Sequence, residues 1–216
     1  MPDIFDEVSD DLRAERTQAL LRRYGVLFVL AAVLVVIGAG GYQAWKSHVA
    51  SEAAREASQY FAAQQTADGP AASRADALPG LAALAQNAGP GYRTIARLRE
   101  AAIKAEMHDL PGALSLWNDV SLDTGADKLL RDYASLQWAL HQIDSGDSSM
   151  IEARLQQLTG PGDTWRPLAL EGEALLALRQ NQVDRARTLL KSLVSDQNAP
   201  DGVRGRANGL LTRLGS

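Results

Sequence analysis

The chain has 216 residues, with 22 Lys and Arg against 26 Asp and Glu, a formal net charge of −4 and no cysteine. This balance excludes a strongly basic nucleic-acid binder and an electrostatic clasp on anionic lipid. Without cysteine there is no disulfide and no thiolate chemistry, a composition compatible with an oxidising compartment.

Residues 1–23 form a short leader. Ile4, Phe5, Val8 and Leu12 recur at helical spacing, with Asp3, Asp6, Glu7, Asp10 and Asp11 between them. The leader is expected to be a short amphipathic helix. Two readings stand for it: docking on a partner protein, or a solvated helix whose apolar side chains only touch lipid. Interfacial helices prefer Lys and Arg on their polar face, and this one is acidic until Arg13.

From Tyr24 to Trp45 there is no charged residue. At ~1.5 Å per residue this run makes a helix about 33 Å long, enough to cross a hydrocarbon core of roughly 30 Å. Tyr24 at one end and Tyr42 and Trp45 at the other fit the aromatic belts of membrane interfaces, so Tyr24 and Trp45 are taken as the boundaries of one spanning helix. Arg13, Arg16, Arg22 and Arg23 precede the span, against Lys46 and Arg55 after it. An excess of Lys and Arg marks the cytoplasmic side, which places the N-terminus in the cytoplasm and residues 46–216 across the membrane. A cleaved signal peptide is the alternative, with Ala39-Gly40-Gly41 as the cleavage site. The long acidic leader and the length of the apolar run favour an uncleaved anchor. Gly38 and Gly41 permit helix contact but lack the spacing of a Gly-Xaa-Xaa-Xaa-Gly dimer motif.

Beyond the span, residues with high helix propensity dominate and runs of β-branched residues are missing. Breakers such as Asp68-Gly69-Pro70, Gly89-Pro90-Gly91, Gly160-Pro161-Gly162 and Pro200-Asp201-Gly202 leave helical blocks near 47–67, 74–87, 92–107, 111–122, 126–144, 148–159, 165–179, 182–195 and 201–214. Short connections make neighbouring helices antiparallel.

The blocks repeat in pairs. Ala101, Ala139 and Ala174 mark the first helices, at steps of 38 and 35 residues. Ala113, Ile151 and Ala186, then Trp117, Leu155 and Leu190, mark the second helices at the same steps. A small residue facing a large apolar one lets two helices approach closely, which is the physical content of a tetratricopeptide repeat of period near 34. The 38-residue step requires an insertion. The expected fold class is therefore all-α: one transmembrane helix followed by a tetratricopeptide-like α-solenoid. Block 201–214 acts as a capping helix, with Val203, Ala207, Leu210, Leu211 and Leu214 inward and Arg204, Arg206 and Arg213 toward solvent. Such arrays leave a groove that binds proteins and rarely perform chemistry.

No catalytic, cofactor or metal constellation emerges. His48, His108 and His141 are scattered, and there is no nucleophile elbow or phosphate loop. Glu171 and Glu173 alternate across one helix and read as solvated. Trp117 is a packing residue. Trp138 lies in a first helix, where core packing competes with a role as anchor for a partner's apolar side chain. Trp165 is expected to pack over the loop before its helix.

The leader and span carry a resemblance. Asp3-Ile4-Phe5-Asp6-Glu7-Val8, Leu12-Arg13, Arg23-Tyr24-Gly25 and Gly40-Gly41-Tyr42-Gln43-Ala44-Trp45, followed by helical repeats, resemble the alphaproteobacterial branch of the ancillary SecYEG translocon subunit family. The resemblance implies a bacterial inner-membrane protein with a periplasmic repeat domain. Its implied partners are the Sec translocon, a membrane-anchored periplasmic chaperone of the peptidyl-prolyl isomerase type, and unfolded or newly exported chains. It implies no catalytic residues. A structural scaffold for another cell-envelope assembly is the competing reading, and an enzyme the least favoured.

Overall fold

The structure is a computed structural model that describes the backbone of residues 4–70 and 73–215 and the side chains from Tyr24 onward. Among the described residues all regular structure is helical: α1 (Ile4–Ala67), α2 (Arg74–Asn87), α3 (Pro90–Glu106), α4 (Leu110–Leu122), α5 (Lys128–Leu140), α6 (Ser148–Gln156), α7 (Arg166–Arg179), α8 (Val183–Ser195) and α9 (Asp201–Arg213). The chain forms two compact units, Met1–Arg55 and Glu56–Ser216.

In the first unit the backbone is helical from Ile4, while the apolar face read for the leader lies outside the described side chains. Ten large apolar side chains between Val26 and Ile37 are 48–73% exposed. Leaving each in water costs ~2 kcal/mol, or ~20 kcal/mol together, more than the ~5–15 kcal/mol that stabilises a typical domain. A helix this long, apolar and uncovered is a candidate membrane span, and it is the one such helix among the described residues. The separate block expected near 47–67 begins without a break, because nothing between Trp45 and Ala67 stops a helix.

In the second unit the end of α1 supplies Ala63 and Ala67 to a core with Leu81 and Leu84 of α2 and Ala96 and Ile103 of α3. From α2 to α9 each helix packs on the next in sequence. The odd-numbered helices also come backbone to backbone, α3 on α5, α5 on α7 and α7 on α9, whereas α4, α6 and α8 meet only through long side chains such as Arg154 with Asn118 and Arg185 with Glu152. The odd row therefore lies on the inner side of the curve.

Two of the three turns inside the pairs are built alike. After α3, His108 adopts φ 66°, with its N–H bonded to Ala105 O and the N–H of Asp109 to Lys104 O. After α7, Asn181 adopts φ 59°, with its N–H bonded to Leu178 O and the N–H of Gln182 to Ala177 O. Both are left-handed helix stops that satisfy the final carbonyls. The middle turn differs. α5 ends at Leu140, short of the expected 144, because the chain tightens into i→i+3 bonds from Gln142 to Ala139 and from Ile143 to Leu140. Arg179 of α7 then caps this turn from the next pair, donating to Ile143 O at 2.6 Å and Gly146 O at 2.9 Å. Residue numbering from Ala101 to Ala113, Ala139 to Ile151 and Ala174 to Ala186 keeps one spacing, so the extra residues of the 38-residue step lie between pairs.

Gly172 sits where α7 meets α5 and α6. A Cβ there would lie 3.0 Å from Leu140 Cδ2 and 3.1 Å from Leu155 Cδ2. Gly172→Leu is expected to destabilise the detergent-solubilised protein by about 1–3 kcal/mol in thermal melts. An unchanged melt would show that α7 does not approach its neighbours this closely. His108→Gly is expected to stabilise by about 0.5–1 kcal/mol, since glycine adopts the left-handed conformation without a Cβ penalty. Destabilisation by that change would contradict the strained turn.

Candidate protein-interaction groove

The repeat residues assemble pair by pair. Ala101, Ala113 and Trp117 share one buried cluster with Leu98, Val120 and Ala134. Ala139, Ile151 and Leu155 share the next, and Ala174 and Leu190 a third. Ala186 is buried as well. The third cluster includes Val203, Ala207 and Leu211, which seat α9 against α7 and α8.

An open cavity of about 640 Å³ lies on the odd row, over α7 and between α5 and α9. Leu140 of α5, Leu168 and Leu175 of α7 and Leu210 of α9 give it an apolar floor. All four belong to helices whose other faces are committed to the core, so the floor is the remaining outward face of the row. Glu171 also lines the cavity. It is 7% exposed and accepts two bonds from Arg206, at Nε and Nη2, each 2.6 Å. This paired geometry holds α9 to α7.

Both glutamates of α7 correct the sequence expectation, because Glu173 is also 7% exposed. α7 touches α5, α6, α8 and α9, so it has almost no solvated face. Positions i and i+2 point to opposite sides, but here both sides are covered. Glu171 meets its counter-charge in Arg206, which therefore faces the groove pair and not only solvent. Glu173 lies toward Arg185 of α8 and Glu152 of α6, which bond each other at 2.6 Å. Burial pushes the Glu173 carboxyl above its ordinary range, the Arg185 charge draws it back and Glu152 adds to the rise.

Trp138 is half-buried between two core clusters, and Arg154 of α6 stacks 3.9 Å over its ring. It does not line the cavity, and one face of its ring carries that guanidinium. Trp165 packs on α5 as well: its ring lies 5.1 Å from Tyr133 and its Nε1 donates to Leu129 O at 3.0 Å. His141 is exposed, 4.4 Å from the buried Trp117 ring. Among the described residues no three His, Asp or Glu side chains converge on a metal-binding position.

An all-helical array of antiparallel pairs, with an open apolar groove on its inner row, defines a repeat protein of the interaction type. The chain matches the tetratricopeptide repeat-like domain family over residues 18–199 and belongs to that family. The match starts ahead of the apolar run and stops before α9. No curated protein and no solved structure matches the chain. Membership implies protein partners, and domains of this family are typically adaptors without catalysis.

Glu173 gives a pH test. Its folded-state value is raised, so between its ordinary value of 4.5 and that raised value the folded chain binds more protons than the unfolded one. Stability from this site is therefore greatest in acid and is lost as pH rises through that window. Glu173→Gln is expected to gain stability over the wild type as pH rises from about 4.5 toward neutrality. A difference that stays flat across that range in parallel urea titrations would place Glu173 in water.

Proposed function

We propose that the chain is a single-pass inner-membrane protein of the bacterial envelope, a translocon-associated adaptor or chaperone subunit. In this reading residues 1–23 are cytoplasmic, residues 24–45 span the membrane and residues 46–216 form a periplasmic repeat domain. The repeat domain holds partner proteins or newly exported chains beside the Sec translocon.

The observation that carries the adaptor role is the apolar groove on the odd row, in a chain whose N-terminal helix leaves its large apolar side chains uncovered. The arginines ahead of Tyr24 support the orientation. The association with Sec, and with a membrane-anchored periplasmic chaperone, is supported by the resemblance of the leader and span residues to the ancillary translocon subunits. The repeats alone are too widespread an architecture to select that partner.

Photo-crosslinking residues placed at the exposed Phe61 and Met150 of the full chain in bacterial membranes test this reading. Adducts containing a translocon subunit or the membrane-anchored chaperone are expected. Adducts drawn only from other envelope proteins would replace the reading with that of a structural scaffold.

A further inference from the structure

We propose that the groove over α7 receives an amphipathic α-helix of a partner protein, its apolar stripe bordered by an acidic side chain facing Arg213 and a basic one facing Asp144. The inference deepens the adaptor reading and rests on it, but it does not rest on the association with Sec.

The shape of the trough comes first. Packed helices lie ~8–10 Å apart, so α5 and α9, flanking α7, stand roughly 16–20 Å apart. Less the radii of the two walls, that leaves a trough roughly 4–10 Å wide, which admits the side-chain stripe of one helix lying along α7. Because successive helices are antiparallel, α5, α7 and α9 run in one direction and give the channel parallel walls. The α9 wall is also low. A Cβ on Gly209 would meet nothing within 4 Å, and the same holds at Gly205 one turn earlier. No packing inside the chain calls for glycine at Gly209, although glycine weakens a helix relative to alanine. Its effect is to let another backbone come close.

The chemistry of the lining then selects the form of the occupant. An extended segment brings an unpaired N–H and C=O at every residue and needs polar partners for them. The lining contains no Asn, Gln, Ser or Thr. Its polar groups are four charged side chains, and two of these, Glu171 and Arg206, are already bonded to each other. The helices of the walls keep their own backbone groups paired. An occupant that also satisfies its backbone internally, and offers leucine-like side chains to Leu140, Leu168, Leu175 and Leu210, fits such a surface.

Charge fixes the orientation. Asp144 on the α5 side and Arg213 on the α9 side both line the cavity, both are exposed, and neither has an ion-pair partner among the described residues. They stand on opposite borders of the apolar floor. A helix with a base along one flank of its apolar stripe and an acid along the other complements both. The α9 wall lies beyond residue 199, where the family match ends.

The test uses the full chain in phosphatidylcholine nanodiscs, with signal from empty nanodiscs subtracted. The probe is a hydrocarbon-stapled helical peptide of about 18 residues, roughly five turns. It carries leucines along one face, glutamate on one flank and lysine on the other. A comparator of the same composition carries two prolines that keep it extended. The stapled peptide is expected to bind with Kd on the order of 10 µM and the proline peptide at least about tenfold more weakly. Gly209→Trp is expected to weaken the stapled peptide by about tenfold or more without lowering the melting temperature. Arg213→Glu, a second variant at an exposed position, is expected to weaken it too, and replacing the peptide's glutamate with lysine to restore binding. The inference is overturned if the stapled peptide does not saturate, if the proline peptide binds as well, or if Gly209→Trp changes nothing. A concentration-dependent dimer that Gly209→Trp abolishes would give the groove to a second copy and overturn it equally. The nanodiscs contain no translocon, so these outcomes are independent of the membrane crosslinks.

Discussion

The repeat domain depends on how closely the two helices of each pair approach at a small residue. Ala101, Ala139 and Ala174 each have no exposed surface, and each faces a partner helix bearing Trp117, Leu155 or Leu190. A larger side chain at any of these alanines would push the pair apart and lose dispersion contacts along the whole interface. Gly172 extends the same constraint between pairs, where even a Cβ would crowd Leu140 and Leu155. From this close approach follows the alignment of the odd helices, and from that alignment the groove.

Polar ties across the pairs complete the stacking. Arg179 closes the turn after α5 from α7, Arg185 of α8 reaches Glu152 of α6, and Arg206 of α9 reaches Glu171 of α7. Each spans about one repeat, so each locks one unit to the next in an array whose stability is otherwise built from nearest-neighbour contacts. The pair of buried Glu171 with exposed Arg206 carries a further consequence. It holds the last helix in place while lining the groove with charge.

Much of this architecture was legible in the residues. Gly-Pro and Asp-Gly punctuation placed the helices within a few residues, and the Ala-to-large pattern placed three buried clusters. The end of α5 was not legible, because its stop is a series of i→i+3 bonds capped by Arg179 from another pair. The groove escaped for a similar reason. Leu168, Glu171 and Leu175 of α7, and Arg206, Leu210 and Arg213 of α9, are each spaced for one helix face. The sequence does not say that the two faces meet. Glu171 and Glu173 read as solvated because most helices have an outer face, and α7 has almost none. Trp138 drew notice by its place in a first helix, while Arg154, which stacks on it, lies in a different helix.

In the proposed function, the span tethers the binding surface on the far side of the membrane from the acidic leader. Because the chain has no cysteine, single substitutions report position without background. The most direct test labels Ser9→Cys and Gly209→Cys variants with a membrane-impermeant maleimide in spheroplasts of a bacterial host. The account predicts that Gly209→Cys labels in intact spheroplasts and that Ser9→Cys labels only after permeabilisation. Labelling of Ser9→Cys from outside, with Gly209→Cys protected until the membrane is opened, would contradict it.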